Sequence, residues 1–477
     1  MKNRLLLLLL LLPLFWIGTE NLHDWGDDFA QYILQARNIV TGQSQINDNL
    51  VFPKEELPFA IVAYPVGFPL LLAPVFAKFG LFIPPYLYLI SFFLIISSIL
   101  LFEYLKRIFD VQNSFLIAIM FSYNLISLIL KKEILSEFPF VLALLALFLI
   151  IQTGQRKTFV LAGLLAGILV SIRVSGFVIF PAILSWQLVT KNGLPMNKRL
   201  ANSCLFIATG LAVFGFLNMA IFNIDLKNFF GFYAQQFDTN SEKIIANFLD
   251  LFGKAAELIL PPLKSIIWTW LVLVLVGIGF TKRFKHAQLA DWFFLFYLLL
   301  IVFYPYSSSG MRFLFPVIPI ILIYFVIGFE TIAALILSKQ RSSQFLIVIA
   351  CLSIIFSLKT FYSLPKADGP YSKDARSAFN FIRTKTPENA VILFSRARAL
   401  NLYADRKATF LIQHKSENEN FATLQKIKCD YILYADERSG AFNQNLQDFL
   451  MKRKSDYDTL FKEDRYLILQ LNTSKQP

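Results

Sequence analysis

Charged side chains are scarce in this chain. Asp, Glu, Lys and Arg make up 16% of its 477 residues, against roughly 25% in soluble domains. That scarcity argues against an ordinary soluble globule. Cysteine is scarce too, and three residues give no disulfide framework. Cys204 and Cys351 fall in apolar runs and Cys429 in a strand-like run, which reads as three small core hydrophobes. Three histidines are present, His23, His286 and His414, without a Cys/His cluster, so a structural zinc site is not expected. The formal net charge of +13 lacks the basic stripe that nucleic-acid binding requires. Its basic residues sit mostly in short loops between apolar runs, as membrane anchors do.

What the chain has instead is apolar surface. Hydrophobic residues are 56% of it, 51 residues are Phe, and the mean hydropathy is +0.57. A single core stops growing near roughly 250–300 residues, so a bilayer must cover the rest. The runs 4–19, 84–105, 112–130, 135–153, 158–172, 174–190, 200–222, 265–280, 290–306, 313–336 and 342–362 predict about eleven spans. The first resembles a signal peptide, but no small-x-small cleavage site follows, so it is read as an uncleaved span. Pro65–Phe79 is short and Pro-broken, which predicts an interfacial or re-entrant helix in an external loop over 19–83.

With the N-terminus in the cytoplasm, each cytoplasmic loop is basic: Lys106 and Arg107; Arg156 and Lys157; Lys191, Lys198 and Arg199; Lys282, Arg283 and Lys285; Lys339 and Arg341. An odd number of spans puts the C-terminal part outside, the periplasm of a bacterial inner membrane. The expected division is a membrane part over 1–362 and an α/β part over 365–477. In the latter, Asp374–Thr386 reads as a helix. Ala390–Phe394, Ala408–Ile412, Tyr431–Tyr434, Tyr457–Phe461 and Tyr466–Leu471 read as strands. No Gly-rich phosphate loop marks it as a nucleotide site.

Candidate chemistry gathers at the external face. Asp24, Asp27 and Asp28 fall within five residues of one another after the first span. On a helix from Asp24 to Ala36 they share one face at i, i+3 and i+4, where mutual repulsion raises a pKa toward that of a general base. The plain alternative is an acidic N-cap. Tyr64-Pro65-Val66-Gly67-Phe68-Pro69 fixes a bent entry to the membrane surface, or is simply a turn. Ser136-Glu137-Phe138-Pro139 puts a carboxylate at the mouth of a span, where it needs a partner, unless it merely caps the helix. Arg173 and Arg312 stand alone at membrane edges, either snorkelling or forming a bidentate clamp on phosphate. The stretch from Asn223 to Pro262 reads as a lid, with Tyr233, Gln235, Gln236 and Asp238 facing the cavity.

Five motifs in order, Asp-Asp after the first span, Tyr-Pro-x-Gly-Phe-Pro, Leu-Ser-Glu-x-Pro-Phe, Ile-Arg-x-x-Gly and Arg-Phe-Leu-x-Pro-x-x-Pro, resemble the C-type membrane glycosyltransferases over about residues 1–340. The protein O-mannosyltransferases and the aminoarabinose transferases acting on lipid A carry the same order. The resemblance implies a polyprenyl-phosphate-linked sugar donor, undecaprenyl phosphate in bacteria, a hydroxyl acceptor of lipid, glycan or protein type, and inversion at the anomeric carbon. By position, Asp27 or Asp28 is the general base, and the choice between them stays open. Glu137, Arg173 and Arg312 match the carboxylate and phosphate contacts, with Asp24, Tyr64 and Tyr32 nearby in the substrate site. The acidic cluster has the ligand type for a divalent metal, and metal use is left unassigned.

A transporter or flippase of lipid-linked sugars is the first alternative. Midspan ionisable residues and repeat symmetry, its usual marks, are weak here. A polymerase or ligase of polysaccharide, and a membrane sensor, are the others. An Asp27→Asn/Asp28→Asn double variant separates them, because only a transferase loses turnover while keeping its fold and donor binding.

Overall fold

The computed structural model describes residues 2–45, 49–53, 64–152, 155–189, 194–235, 237, 240–257, 259, 266–304, 310–365, 369–412, 415–435 and 441–471. Helices coincide with every predicted run. In chain order they begin with α1 (Lys2–Leu11), α2 (Asp27–Thr41), α3 (Gly67–Phe79), α4 (Pro84–Leu105), α5 (Val111–Ser122), α6 (Leu125–Leu130) and α7 (Glu137–Ile151). They continue with α8 (Arg156–Ile172), α9 (Ile179–Val189), α10 (Met196–Gly215), α11 (Leu226–Gln235), α12 (Ser241–Glu257), α13 (Ile266–Phe284) and α14 (Leu289–Val302). The helical part closes with α15 (Gly310–Leu314), α16 (Ile318–Ile336) and α17 (Lys339–Ser363). Among the described residues, five helical stretches are long and apolar enough to cross a membrane: Pro84–Leu105, Met196–Ile221, Ile266–Phe284, Met311–Ile336 and Lys339–Ser363.

Three expectations change. The predicted 112–130 run divides at Tyr123 and Asn124, because the Asn124 side chain accepts the Ile126 N–H and starts a new helix. Asp24 lies outside α2: the helix begins at Asp27 with Gly26 as its N-cap, and Asp24 Oδ1 instead accepts the Gly26 N–H at 2.6 Å. The three aspartates therefore do not share a helix face. Cys204 and Cys351 lie exposed on α10 and α17, and only Cys429 is buried. Glycine sets the closest helix contact. A Cβ on Gly279 of α13 would lie 1.8 Å from the Tyr324 carbonyl oxygen, and one on Gly328 of α16 would lie 1.8 Å from that of Leu275. The two backbones thus touch at reciprocal positions.

The helix α3 has 13 residues, about 20 Å at 1.5 Å per residue, too short to cross a bilayer. It packs along α2. Gly67 explains its motif: a Cβ there would meet the Ser171 carbonyl oxygen at 2.6 Å, so only glycine lets α3 start against the end of α8.

The C-terminal part is a five-stranded sheet of order β2-β1-β3-β5-β4, from β1 (Val391–Leu393), β2 (Lys407–Thr409), β3 (Tyr431–Ala435), β4 (Tyr457–Glu463) and β5 (Tyr466–Leu471). The β1–β2 and β1–β3 pairs are parallel, and the β3–β5 and β4–β5 pairs antiparallel. Helices α18 (Lys373–Lys385), α19 (Ala397–Ala404), α20 (Glu417–Lys426) and α21 (Ala441–Lys452) complete it. Side chains alternate between faces, as a pleated strand requires. Ile392, Leu433 and Ile468 pack with Phe379 and Leu400, whereas Val391, Ile432 and Leu469 pack with Leu424 and Phe449.

This layer is fastened to the loop before α3. Val51 N–H donates to the Ala408 carbonyl at 2.9 Å, and Ala408 N–H to that of Asn49 at 3.0 Å, adding a parallel bridge at the free edge of β2. Trp25 sits edge-on to Phe379 and Phe394 at 5.9 and 5.6 Å, which anchors the start of α2 in the core of the sheet layer.

Candidate active site

Asp28 occupies the first turn of α2, where the helix dipole favours an anion. Its two oxygens have different partners. Tyr64 Oη donates to Oδ1 at 2.6 Å, and Arg312 Nη1 donates to Oδ2 at 2.6 Å. Tyr64 is held by its backbone: Gln35 Oε1 accepts its N–H and Gln35 Nε2 donates to its carbonyl, each at 2.9 Å. Gln35 is buried on α2, so the helix that carries Asp28 also fixes Tyr64.

Arg312, in α15, ties this pair to a second carboxylate. Its Nε donates to Glu137 Oε1, which also accepts Arg173 Nη1 at 2.6 Å. Arg173 has an extended backbone where α8 ends, which interrupts the predicted apolar runs on either side. It also donates to Ser136 Oγ at 3.1 Å, and Tyr32 Oη lies 3.1 Å from the same hydroxyl. Ser136 and Glu137 were open to reading as a helix cap, but the Ser136 side chain caps no backbone N–H. Both serve the arginine network instead. Glu137 is fully buried, and among the described residues its Oε2 has no hydrogen-bond partner.

Asp28, Tyr32, Tyr64, Arg173 and Arg312 line one cavity of about 560 Å³ together with Tyr233, Tyr297 and Tyr304. Apart from Ser175 the rest of its wall is apolar, from Ile172, Val174, Phe177 and Val178 through Phe230 and Phe237 to Leu300, Ile301 and Phe313. Two guanidinium groups and a largely apolar lining in one cavity match a ligand with an anionic head and a hydrocarbon tail. Of the predicted lid, Tyr233 lines the cavity. Gln236 and Asp238 lie outside the described residues, as do Pro262 and Ser308-Ser309.

Asp27 is not among the lining residues. Its Oδ2 lies 3.8 Å from Arg398 Nη1 of α19. Burial raises the Asp27 pKa above the ordinary carboxylate value, with Arg398 and Arg396 opposing the rise. Burial pushes Asp28 up as well, but the charge of Arg312 and the hydrogen bond from Tyr64 outweigh it and leave Asp28 below that value. Adjacent carboxylates are thus driven apart, a pattern typical of acid–base sites. Burial also lifts the Tyr32 phenol to about 12, which keeps it protonated as a donor.

Sequence reasoning missed two residues here. Gln35 carried one signal, a polar side chain on the apolar face of an amphipathic helix. Arg398 carried none beyond an Arg-x-Arg pair after a strand.

Among the described residues the acidic side chains do not gather at one point. Asp28 is committed to Arg312 and Tyr64, while Asp24 stands with His23 and Glu133, whose ligand atoms lie within 4.8 Å of one another. His23 Nε2 accepts the Ile134 N–H at 3.1 Å and Nδ1 donates to the Asp24 carbonyl at 3.0 Å, so neither ring nitrogen has a lone pair left for a metal. His23 is buried and stacked on Phe29 at 3.9 Å, which marks it as a fastening between α2 and the loop before α7.

No family model and no curated protein sequence matches the chain. Solved structures do. ArnT from Cupriavidus metallidurans bound to undecaprenyl phosphate superposes with a TM-score of 0.62 at 11% identity, over 99% of this chain and 98% of that one. The same protein in the apo state gives 0.60 at 12% identity over the same shares. The archaeal oligosaccharyltransferase AglB from Archaeoglobus fulgidus, in complex with an inhibitory peptide and a dolichol-phosphate, gives 0.58 at 12% identity, over 90% of this chain and 69% of that one. At these identities the likeness is one of architecture, and this chain shares its fold with ArnT and AglB.

Proposed function

We propose that this protein transfers a sugar from a polyprenyl-phosphate carrier, undecaprenyl phosphate in a bacterial cell, to a hydroxyl acceptor. In this reading the chain crosses the inner membrane about eleven times, with its N-terminus in the cytoplasm and its sheet layer in the periplasm. The single observation that carries it is the cavity itself, in which Asp28, Arg173 and Arg312 face the same space as a long apolar wall. The superposed transferases were solved with undecaprenyl phosphate and with dolichol-phosphate, which supports the same donor class.

The chemistry follows from the lining groups. The acceptor O–H gives its proton to the Asp28 carboxylate as its oxygen bonds the anomeric carbon from the face opposite the phosphate. The anomeric C–O bond breaks, its electron pair leaves with the lipid phosphate, and Arg312 and Arg173 hold the developing charge. The configuration inverts. Asp28 is preferred to Asp27 as the base because it alone of the two lines the cavity. Arg312 is paired to Asp28 and Glu137. A phosphate that takes over Arg312 leaves Asp28 with Tyr64 only, so the base strengthens when the donor is seated.

The test is transfer of labelled sugar from undecaprenyl phosphate in membranes that carry wild type or Asp28→Asn, with lipids and glycans of a deletion strain analysed alongside. Loss of transfer with retained donor binding is expected. Full transfer by the variant sinks the base assignment. Cysteine labelling that finds the Asp27 segment and Arg312 on opposite sides of the bilayer sinks the whole reading.

A further inference from the structure

The hydrogen-bond chain that ends on Asp28 begins in the C-terminal sheet layer. Arg398, on the first turn of α19, donates through Nη1 to Tyr64 Oη at 2.9 Å, and its guanidinium carbon lies 5.2 Å from the centre of the Tyr64 ring. Tyr64 in turn donates to Asp28. Guanidinium has donors only. The phenol proton therefore cannot point toward Arg398, and the Tyr64 oxygen must accept from it. That leaves the proton one strong acceptor, Asp28 Oδ1. One residue more than 300 positions away in sequence thus sets the rotor of the hydroxyl that grips the base.

We propose that Arg398 is a positioning residue for the transfer reaction, so that the C-terminal layer completes the active site by orienting Tyr64 onto Asp28. The proposal rests on the transferase reading for its chemistry and on geometry for its residues. The placement of Arg398 is well determined. Its helix packs on α2, the loop before α3 bridges to β2, and Tyr371 Oη donates to the Leu81 carbonyl at 3.1 Å at the far end of α3. The layer is therefore docked on both helices that frame the site.

The charges around Asp28 fix the sign of the test. Arg312 and Arg398 face it as cations, with Arg173 behind Arg312. Asp27, Glu137 and the phenols of Tyr32, Tyr64 and Tyr233 stand with them, and Arg396 faces Asp27. Removing the Arg398 charge leaves the neighbouring anions less opposed, so protonation of Asp28 shifts to higher pH. Protonation also frees Arg312 for phosphate. The pH midpoint of undecaprenyl phosphate binding thus reports Asp28 without any turnover.

The experiment compares wild type, Arg398→Gln, Arg398→Lys and Tyr64→Phe as full-length proteins in nanodiscs. Expected for Arg398→Gln is a fall in kcat of about 10- to 100-fold, as for loss of a hydrogen bond from a charged donor. Its affinity for undecaprenyl phosphate at neutral pH stays within about threefold of wild type, because Arg398 does not line the cavity. The acid midpoint of binding rises by about half to one pH unit. Arg398→Lys restores part of both. Combining Arg398→Gln with Tyr64→Phe adds nothing to the kcat loss, since both act through one hydroxyl. An Arg398→Gln protein with wild-type kcat and an unmoved midpoint overturns the proposal. So does an equal kcat loss in Gln and Lys variants with no displacement, which marks a merely structural residue. A wild type that binds undecaprenyl phosphate yet moves no sugar sinks the transferase reading alone, and the midpoint of Arg398→Gln still decides the role of Arg398.

Discussion

Two clusters of arginine, carboxylate and tyrosine are buried in the helical part, and they do opposite things. In one, Asp291 of α14 accepts Arg283 Nε at 2.8 Å, Tyr324 Oη at 2.8 Å and the Gln288 N–H at 2.7 Å, and Arg283 also reaches Tyr104. Asp291 is fully buried and both of its oxygens are engaged. In the other, Arg312 is shared between two carboxylates, Glu137 Oε2 has no partner among the described residues, and the group opens on the cavity. The residue types are nearly the same. What separates a lock from a site is spare valence next to empty volume. The Asp291 cluster has neither, so it joins α4, α13, α14 and α16. The Asp28 cluster has both, so its partners can be exchanged for those of a ligand.

That contrast is testable by treating both clusters alike. The largest expected effect is on turnover: Asp28→Asn lowers kcat by about a thousandfold, in the range for a lost general base, and lowers the melting temperature by less than the matching change at Asp291. The matching Asp291→Asn should do the reverse. It strands Arg283 in a buried position, at a cost of about 3–5 kcal/mol, read as a lower melting temperature with near-normal turnover per folded molecule. If the two variants exchange phenotypes, the distinction between lock and site is wrong.

Smaller effects sharpen it. Arg312→Lys keeps one charge but loses the fork that engages Asp28 and Glu137 together. A fall of about 10- to 100-fold in kcat/KM for the donor is expected, with most of it in kcat. The smallest effect is a difference between two pH profiles. Profiles of kcat/KM report the free enzyme and those of kcat the complex. With Asp28 held below the ordinary carboxylate value by Arg312 and Tyr64, the acid limb of kcat/KM lies below the range of an unperturbed aspartate. The acid limb of kcat lies higher, because the donor has drawn Arg312 away. The same sign governs stability: a depressed pKa stabilises the fold above the unfolded value, and that contribution is lost as pH falls through the folded one. Coincident limbs would show that Arg312 does not exchange partners.

Much of this was legible in the sequence because apolar length and strand alternation are local signals. All five strands fall within a few residues of the predicted runs, and α4 matches its predicted span end to end. Asp28, Tyr64, Glu137, Arg173 and Arg312 were also legible as candidates, each being a polar group at the edge of an apolar run. Which of them pair was not. Asp28 and Arg312 are separated by 284 positions and Tyr64 and Arg398 by 334, and no periodicity carries that information. Local reading failed at Asp24 for a different reason: Gly26 and the Asp24 side chain form their own turn, which delays the helix by three residues. The outward positions of Cys204 and Cys351 follow from the bilayer, where an apolar residue has two places to hide.

The clip between Gln35 and Tyr64 limits what evolution can place there. A peptide group presents one donor and one acceptor, and of the common side chains only a carboxamide offers both on one planar end. Glutamate, equal in size, would set a carboxylate against the Tyr64 carbonyl. Asparagine, one methylene shorter, would not span the gap. A helix has thereby borrowed the pairing rule of a sheet, and identity at this position is dictated by hydrogen-bond grammar rather than by polarity.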